Sequence, residues 1–499
     1  MKDNKLQNNI INATKWSTIT EIAAKLVTPV TNMILARIVS PEAFGVVATI
    51  TMIVSFIDMF TDSGFQKYLV QHEFKNKEEK YKSANVAFWT NLGISLLLWG
   101  VIILFCEKLA MLVGSPGMGN VLAIACFQLP LTAFSGIQMA LYRRDFDFKT
   151  LFLVRLISIF IPLLLTVPLA LLGLSYWALI IGTITMQLSN AIILTLKSKW
   201  KPNFYYNIKV LKEMFSFSVW SLVEAISIWL TIWVDTFIIG RLLNQHQVGL
   251  YKTSTTMVNA LMSLITASTV PVLFSALSRF QEDTVKFNNL YFKFQRIVSI
   301  IVFPLGIGLY LYSDLATALL LGNQWSEASD VIGMWALTSS IVIVLGHFSS
   351  EVYRAKGRPK LSFFAQLMHL IVLVPTCLLA GQYGFWILVY ARSLVRIQLV
   401  IVHLVIMKAI IGIPVLKIFR NVFPTLISAV SMGLFGYFLQ QLNEGILWGV
   451  VSILLCIIIY FGILSVFSNI RKEIIGGIKR FMPKRAINKK SSEKKSVSL

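Results

Sequence analysis

The chain has 499 residues, 56% of them hydrophobic and 14% charged, with a formal net charge of +22. A soluble domain carries about 25% charged residues, so this composition excludes a fold built around one aqueous core and makes lipid the solvent for most of the chain. The positive excess would point to nucleic acid in a soluble protein, but basic loops collected on one side of a membrane give the same total.

The N-terminal stretch MKDNKLQNN lacks the short apolar core and small-residue cleavage site of a signal peptide. Beyond it, apolar segments long enough to cross a bilayer, which takes about 20 residues, fall near 12–38, 43–66, 84–106, 118–142, 152–172, 176–196 and 215–240. They continue at 248–275, 293–313, 329–350, 361–381, 384–408, 420–440 and 446–467. The expectation is an all-α polytopic membrane protein of about fourteen transmembrane helices. With the N-terminus inside, the inner loops and termini hold thirty-five of the 45 Lys and Arg, and the outer loops hold three, Arg37, Lys108 and Arg241. That bias places both termini in the cytoplasm and accounts for the net charge without nucleic acid. The polar stretch GNQWSEAS at 322–329 reads as an outer turn. Cys106, Cys126, Cys377 and Cys456 lie in apolar runs with no metal or redox spacing, and read as buried or lipid-facing.

The chain repeats itself. Shifted by 204 positions, residues 16–54 fall on 220–258 without a gap, and eleven of the 39 columns are identical. Leu, Val and Ile matches are cheap between apolar helices; Trp16/Trp220, Ser17/Ser221, Arg37/Arg241 and Gly45/Gly249 are not. Six helices separate the copies, so the repeat is parallel, about an axis along the membrane normal. The expected organisation is a six-helix lobe over 1–200, a second over 201–414, two additional helices over 415–467 and a basic cytoplasmic tail over 468–499.

Ionisable residues inside spans usually face a watery cavity or a partner. The first helix carries Lys15, Thr18, Glu21, Lys25, Thr28 and Asn32 at steps of three and four, hence on one face. The seventh carries Glu224, Ser227, Thr231 and Asp235 on one face, the twelfth Arg392, Arg396 and His403, and the second Asp58 and Asp62. One reading is a polar, partly cationic cavity between the lobes. The other is a set of structural ion pairs, with Glu21 or Asp58 neutralising Lys25. Candidate substrate-binding residues are Lys25, Arg392, Arg396, Asn32 and Glu21; Glu224 and Asp235 are candidates for a coupling ion or for charge balance. His347 and His369 stand alone and take no role.

No Gly-rich phosphate loop, HExxH, cysteine zinc pattern or GxSxG occurs. The chain is therefore read as a non-enzyme without catalytic residues, metal or cofactor.

Residues 35–49, LARIVSPEAFGVVAT, and 60–71, FTDSGFQKYLVQ, resemble the start of Wzx-type polysaccharide flippases, in the branch of colanic and teichuronic acid exporters. The likeness continues through VDTFIIGRLLNQHQVGLY at 234–251, PVLFSALSRFQED at 271–283, LLLGNQWSEASDVI at 319–332 and AKGRP at 355–359. It spans roughly residues 10–440 and rests on the order and spacing of these segments. It implies the fold shared with multidrug and toxin extrusion antiporters and lipid II flippases, two six-helix lobes around a central cavity. It also implies a substrate, an oligosaccharide repeat unit on undecaprenyl pyrophosphate, with the lipid bilayer as surroundings and a polysaccharide polymerase and glycosyltransferases as further candidate partners. A multidrug or cation antiporter of the same fold would favour an acidic, aromatic cavity, whereas the first and twelfth helices lean basic. A membrane-embedded polymerase would need a sizeable outer loop bearing catalytic groups, and a scaffold would need no charges at mid-depth.

Overall fold

The computed structural model describes residues 2–61, 64–443, 445–468, 470 and 471. Asp62 and the tail from 472 lie outside the described residues, as do the side chains of 2–15, 17, 18, 21, 22, 216–221 and 268. The chain is helical throughout its described elements. The first half comprises α1 (Lys2–Ile38), α2 (Pro41–Thr61), α3 (Lys77–Leu112), α4 (Gly119–Arg144), α5 (Phe148–Leu171) and α6 (Tyr176–Lys197). The second comprises α7 (Ile208–Leu242), α8 (Gln245–Ser278), α9 (Thr284–Leu311), α10 (Asn323–Ala355), α11 (Lys360–Gly381) and α12 (Phe385–Ile411). Two more follow, α13 (Val415–Gln440) and α14 (Ile446–Val466). Thirteen helices are long and apolar enough to cross a membrane among the described residues, and α1 brings the bundle to fourteen.

Helix starts are marked by Asn and Asp, whose side chains accept from the amides that a first turn leaves without partners. Asn76 accepts from the Glu79 amide at 2.8 Å, Asn244 from Gln247 at 2.9 Å and Asp283 from Lys286 at 3.0 Å. Within the second half one buried core runs continuously through Tyr251, Tyr291, Trp325 and Tyr353 to Tyr460 of α14. The appended pair is seated on α9: Thr425 donates to Ser299 at 2.9 Å, and Tyr460 to the Ile300 carbonyl at 2.8 Å. The first half has smaller cores, one of which, around Phe65, Phe88 and Trp200, also takes in Met214 at the start of α7. The junction between the halves is therefore carried on the first lobe.

The turns at 39–40, 113–118, 243–244 and 321–322 meet at one end of the bundle, the end poor in Lys and Arg. There α2 crosses α8. A Cβ on Gly45 would run into the Gln245 carbonyl and lie 3.0 Å from the Gly249 nitrogen; one on Gly249 would run into the Pro41 carbonyl and lie 3.0 Å from the Gly45 nitrogen. Only glycine permits backbones this close, and the reciprocity is that of a two-fold axis between equivalent helices. The same symmetry governs the clasps around it. The end of α1 is held by the second half, with Trp325 Nε1 and Gln324 donating to the Ala36 carbonyl and Arg37 donating to the Leu319 carbonyl at 2.8 Å. The end of α7 abuts the first half, where a Cβ on Gly114 (φ +77°) would strike the Gly240 carbonyl. Gln245 Nε2 donates to the Gly114 carbonyl at 2.7 Å. The stretch 322–329, expected as an outer turn, forms a short 3-10 helix over Asn323–Ala328 that opens α10 and clasps the first helix.

Candidate functional site

Behind the glycine crossing the four helices diverge and leave a cavity of about 340 Å³. Its wall is drawn from both halves: Pro29 and Asn32 of α1, Val47 and Thr51 of α2, Trp233 of α7, and Lys252 and Thr256 of α8. Asn32 thus reaches a shared inter-lobe space. Lys252, which the helical-face reading did not single out, lines the same wall. Its Nζ lies 3.6 Å from the Trp233 ring centroid and donates to the Ile232 carbonyl at 3.2 Å. Aromatic faces hold cations electrostatically, so Trp233 presents the ammonium at the cavity edge without neutralising it. The one trace of this in the sequence is that α8 contains no acidic residue to serve Lys252 as a helical neighbour; its place at the cavity comes from packing.

Asp235 and Arg392 pair with each other. Arg392 Nε donates to Asp235 at 2.8 Å, and the same carboxylate accepts from Tyr251 Oη at 2.7 Å and from the Thr236 amide at 2.6 Å. Asp235 is 3% exposed and Arg392 5%. A buried pair so bonded is electrically closed, and removing one partner leaves a buried charge that costs about 3–5 kcal/mol. Arg392 Nη2 also donates to the Thr231 carbonyl at 3.3 Å, while its Nη1 is buried with no partner among the described residues.

Arg396, one turn on, is held differently. Its Nη1 donates to the Trp335 carbonyl, Thr338 Oγ1 at 3.1 Å and Ser339 Oγ at 3.0 Å. Its guanidinium lies 4.0 Å from the Trp335 ring centroid, and that of Arg392 lies 5.3 Å from the same ring. Trp335 is fixed in turn by donation to Asn259 at 3.0 Å. No carboxylate pairs with Arg396 among the described residues, so its charge is spread over neutral oxygens and an indole face and stays net positive. His403 completes the stripe against Tyr353 Oη at 3.1 Å. Arg392, Arg396 and His403 therefore share one face, as expected, and it is turned into the second lobe.

Lys25 of α1 donates to the Ser263 carbonyl of α8 at 3.4 Å, a direct link between halves. No contact joins it to Arg396. Glu224 is exposed on α7 and pairs with no cation among the described residues. Asp58 accepts from Thr132 at 3.1 Å and from Thr61 at 3.1 Å, not from Lys25. The side chain of Glu21 lies outside the described residues. Of the four cysteines, Cys126, Cys377 and Cys456 are buried and Cys106 partly so, all as free thiols.

A sequence profile for polysaccharide biosynthesis proteins matches residues 34–330. The chain is 26% identical to the succinoglycan biosynthesis transport protein ExoT of Rhizobium meliloti (strain 1021), over 66% of this chain and 65% of that protein. It is 21% identical to the lipopolysaccharide biosynthesis protein WzxC of Escherichia coli (strain K12), over 76% of each chain. Among solved structures it superposes on the lipid II flippase MurJ in an inward closed conformation with a TM-score of 0.71. That alignment is 16% identical and covers 91% of this chain and 98% of the other.

Proposed function

Since the chain belongs to the family of polysaccharide biosynthesis proteins, we propose that it is a membrane flippase. It carries undecaprenyl-pyrophosphate-linked oligosaccharide repeat units across the cytoplasmic membrane for surface polysaccharide assembly. The observation that carries this reading is the inter-lobe cavity, closed at the charge-poor end by the glycine crossing and lined by Lys252 and Asn32. In a site of low dielectric a Lys ammonium or Arg guanidinium holds a pyrophosphate far more strongly than in water. Asn32, Thr51 and Thr256 supply hydrogen bonds for sugar hydroxyls, and the polyprenyl chain stays in lipid. The basic end faces the cytoplasm, which puts both termini inside. Alternating access is a rocking of one lobe against the other about the glycine crossing.

In this reading the roles divide. Lys252 at the cavity and Lys25 near it receive the anionic headgroup, and Arg396, bonded only to neutral oxygens inside the second lobe, adds positive potential. Arg392 holds Asp235 and sets the angle of Trp335, against which Arg396 rests. Asp235 balances Arg392. A polymerase and the glycosyltransferases that build the repeat unit act on the same lipid-linked substrate and are its working partners.

The test is a leaflet assay. Proteoliposomes containing fluorescent lipid-linked oligosaccharide are treated with an impermeant sugar-oxidising reagent. With the protein present the label in the inner leaflet becomes accessible; liposomes without it, or with Lys252→Gln, protect that half. Equal protection with and without the wild-type chain would refute the assignment.

A further inference from the structure

At the charge-poor end the two lobes share one titratable contact. Under the 204-residue shift Glu42 of α2 and His246 of α8 are equivalent positions, one turn from Gly45 and Gly249. They meet across the pseudo-two-fold axis: His246 Nδ1 bonds to Glu42 Oε1, and its Nε2 lies 3.1 Å from Glu327 Oε2 in the turn that opens α10. Had the duplicated position kept one residue type, the axis would have set two like charges against each other.

Donor counting fixes the protonation. A neutral imidazole has one N–H and one lone pair, and an ionised carboxylate only accepts. A ring bonded to two carboxylates through both nitrogens therefore shares with them one proton beyond those of a neutral imidazole, and imidazole, the more basic group, takes it as an imidazolium. The proton is reachable from solvent, for the side chains of His246, Glu42 and Glu327 are 32%, 54% and 66% exposed. The other charged groups at this end are Arg37 at the end of α1, Glu107 and Lys108 near the end of α3, Arg241 at the end of α7, Asp314 ahead of the 321–322 turn and Asp330 in α10. Arg37 is engaged with the Leu319 carbonyl and Glu107 with the Gly117 and Gly119 amides, and among the described residues none of these groups bonds to His246.

We propose that His246 is a proton-operated latch on the outer gate. Protonated, it ties Glu42 of the first lobe to Glu327 of the second and holds the outer end shut; deprotonated, it can donate to only one of them. The sign follows from linkage: the closed gate binds the extra proton, so acid on that side favours closure and alkali favours opening. One linked proton changes the closed-to-open ratio by up to about tenfold per pH unit. In a carrier that has released its cargo outside, the acidic outer medium then favours the return to the inward-facing state.

This rests on the two-state carrier reading but not on its substrate, and the test contains none. A flat response would leave the flippase assignment standing, and failure of the leaflet assay would leave the latch standing. Spin labels are placed at exposed outer positions of the two lobes, Lys108→Cys and Tyr383→Cys, in a Cys106→Ser background in which the other three thiols are buried. Inter-lobe distances are read in nanodiscs from pH 5 to pH 9. The short-distance population should fall at least tenfold over that range in the otherwise wild-type chain. It should be low and flat in His246→Gln, and high and flat in His246→Lys. If His246→Gln does not fold, Glu42→Gln takes its place and should show at pH 5 the open population of the parent at pH 9. A flat response in the parent, or a full response surviving either substitution, overturns the proposal.

Discussion

The two lobes are duplicates that differ in where they carry charge. At equivalent positions both keep Gly45 and Gly249 at the crossing and Arg37 and Arg241 at the helix ends. Around that common frame the second lobe has Asp235, Tyr251 and Lys252 where the first has Thr31, Val47 and Ala48. Asp235 and Tyr251 join Arg392 in the interior, and Lys252 lines the cavity that Ala48 lines from the other side. The first lobe carries its ion pair near the basic end, Lys80 to Asp145 at 3.0 Å, and elsewhere has neutral bonds such as Gln138 to Thr195 at 2.8 Å and Ser158 to Asn190. The crossing glycines keep the repeat where the lobes touch; Asp235, Tyr251 and Lys252 break it within the second lobe and along the cavity wall, and Glu42 and His246 break it at the contact itself. Rocking needs symmetry at the pivot, whereas binding one asymmetric anion does not need it on both walls.

Breaking the second-lobe pair should have the largest effect on stability. Arg392→Ala or Asp235→Ala should each cost about 3–5 kcal/mol, seen as a lowered melting temperature in detergent and reduced protein in the membrane. Replacing both, as Asp235→Leu with Arg392→Met, should recover most of that loss, because no buried charge is left alone. Giving the first lobe the acid of the second, Thr31→Asp, should cost about 2.5–3.5 kcal/mol, since no arginine waits for it there; if Thr31→Asp melts like the wild type, the claimed asymmetry of the lobes is wrong. At the shared pivot, Gly45→Ala or Gly249→Ala should cost about 1–3 kcal/mol of overpacking and shift the carrier away from the outer-closed state. A truncation after Asn469 should change least, leaving export measurable in cells. We propose that the ten basic residues beyond it contact anionic lipid, at about 1 kcal/mol each near the surface, or serve only as a topology signal.

The span count and the lobes were legible because hydropathy, loop charge and a rare-residue repeat are all written along the chain. Gly45 and Gly249 stand out as repeat columns in the sequence, and they are the pair that cross. Helical faces were legible too: Arg392, Arg396 and His403 do share one. What periodicity cannot supply is the neighbour on another helix. It offers Arg392 as a substrate contact and Asp235 for a coupling ion or charge balance, without showing that the two, separated by 157 positions, pair with each other. Lys252 was missed for the converse reason. A lone cation makes no stripe, and its meaning comes from Trp233 and Asn32, which only the packing of α1, α7 and α8 brings to it. Glu42, His246 and Glu327 sit in turns and first turns, where charge is ordinary and periodicity silent.

We propose that Lys252 at the inter-lobe cavity, aided by Lys25 of α1 and by Arg396 inside the second lobe, holds the anionic headgroup. This is tested most directly by equilibrium binding of undecaprenyl-pyrophosphate-linked oligosaccharide to the purified protein, beside the melting temperature of each variant. Lys252→Gln, Lys25→Gln and Arg396→Gln should each weaken binding at least tenfold, about 1.4 kcal/mol; Lys252→Gln and Lys25→Gln should melt like the wild type, and Lys25→Arg should retain part of the affinity. Unchanged affinity in Lys252→Gln and Lys25→Gln at an unchanged melting temperature would contradict the account.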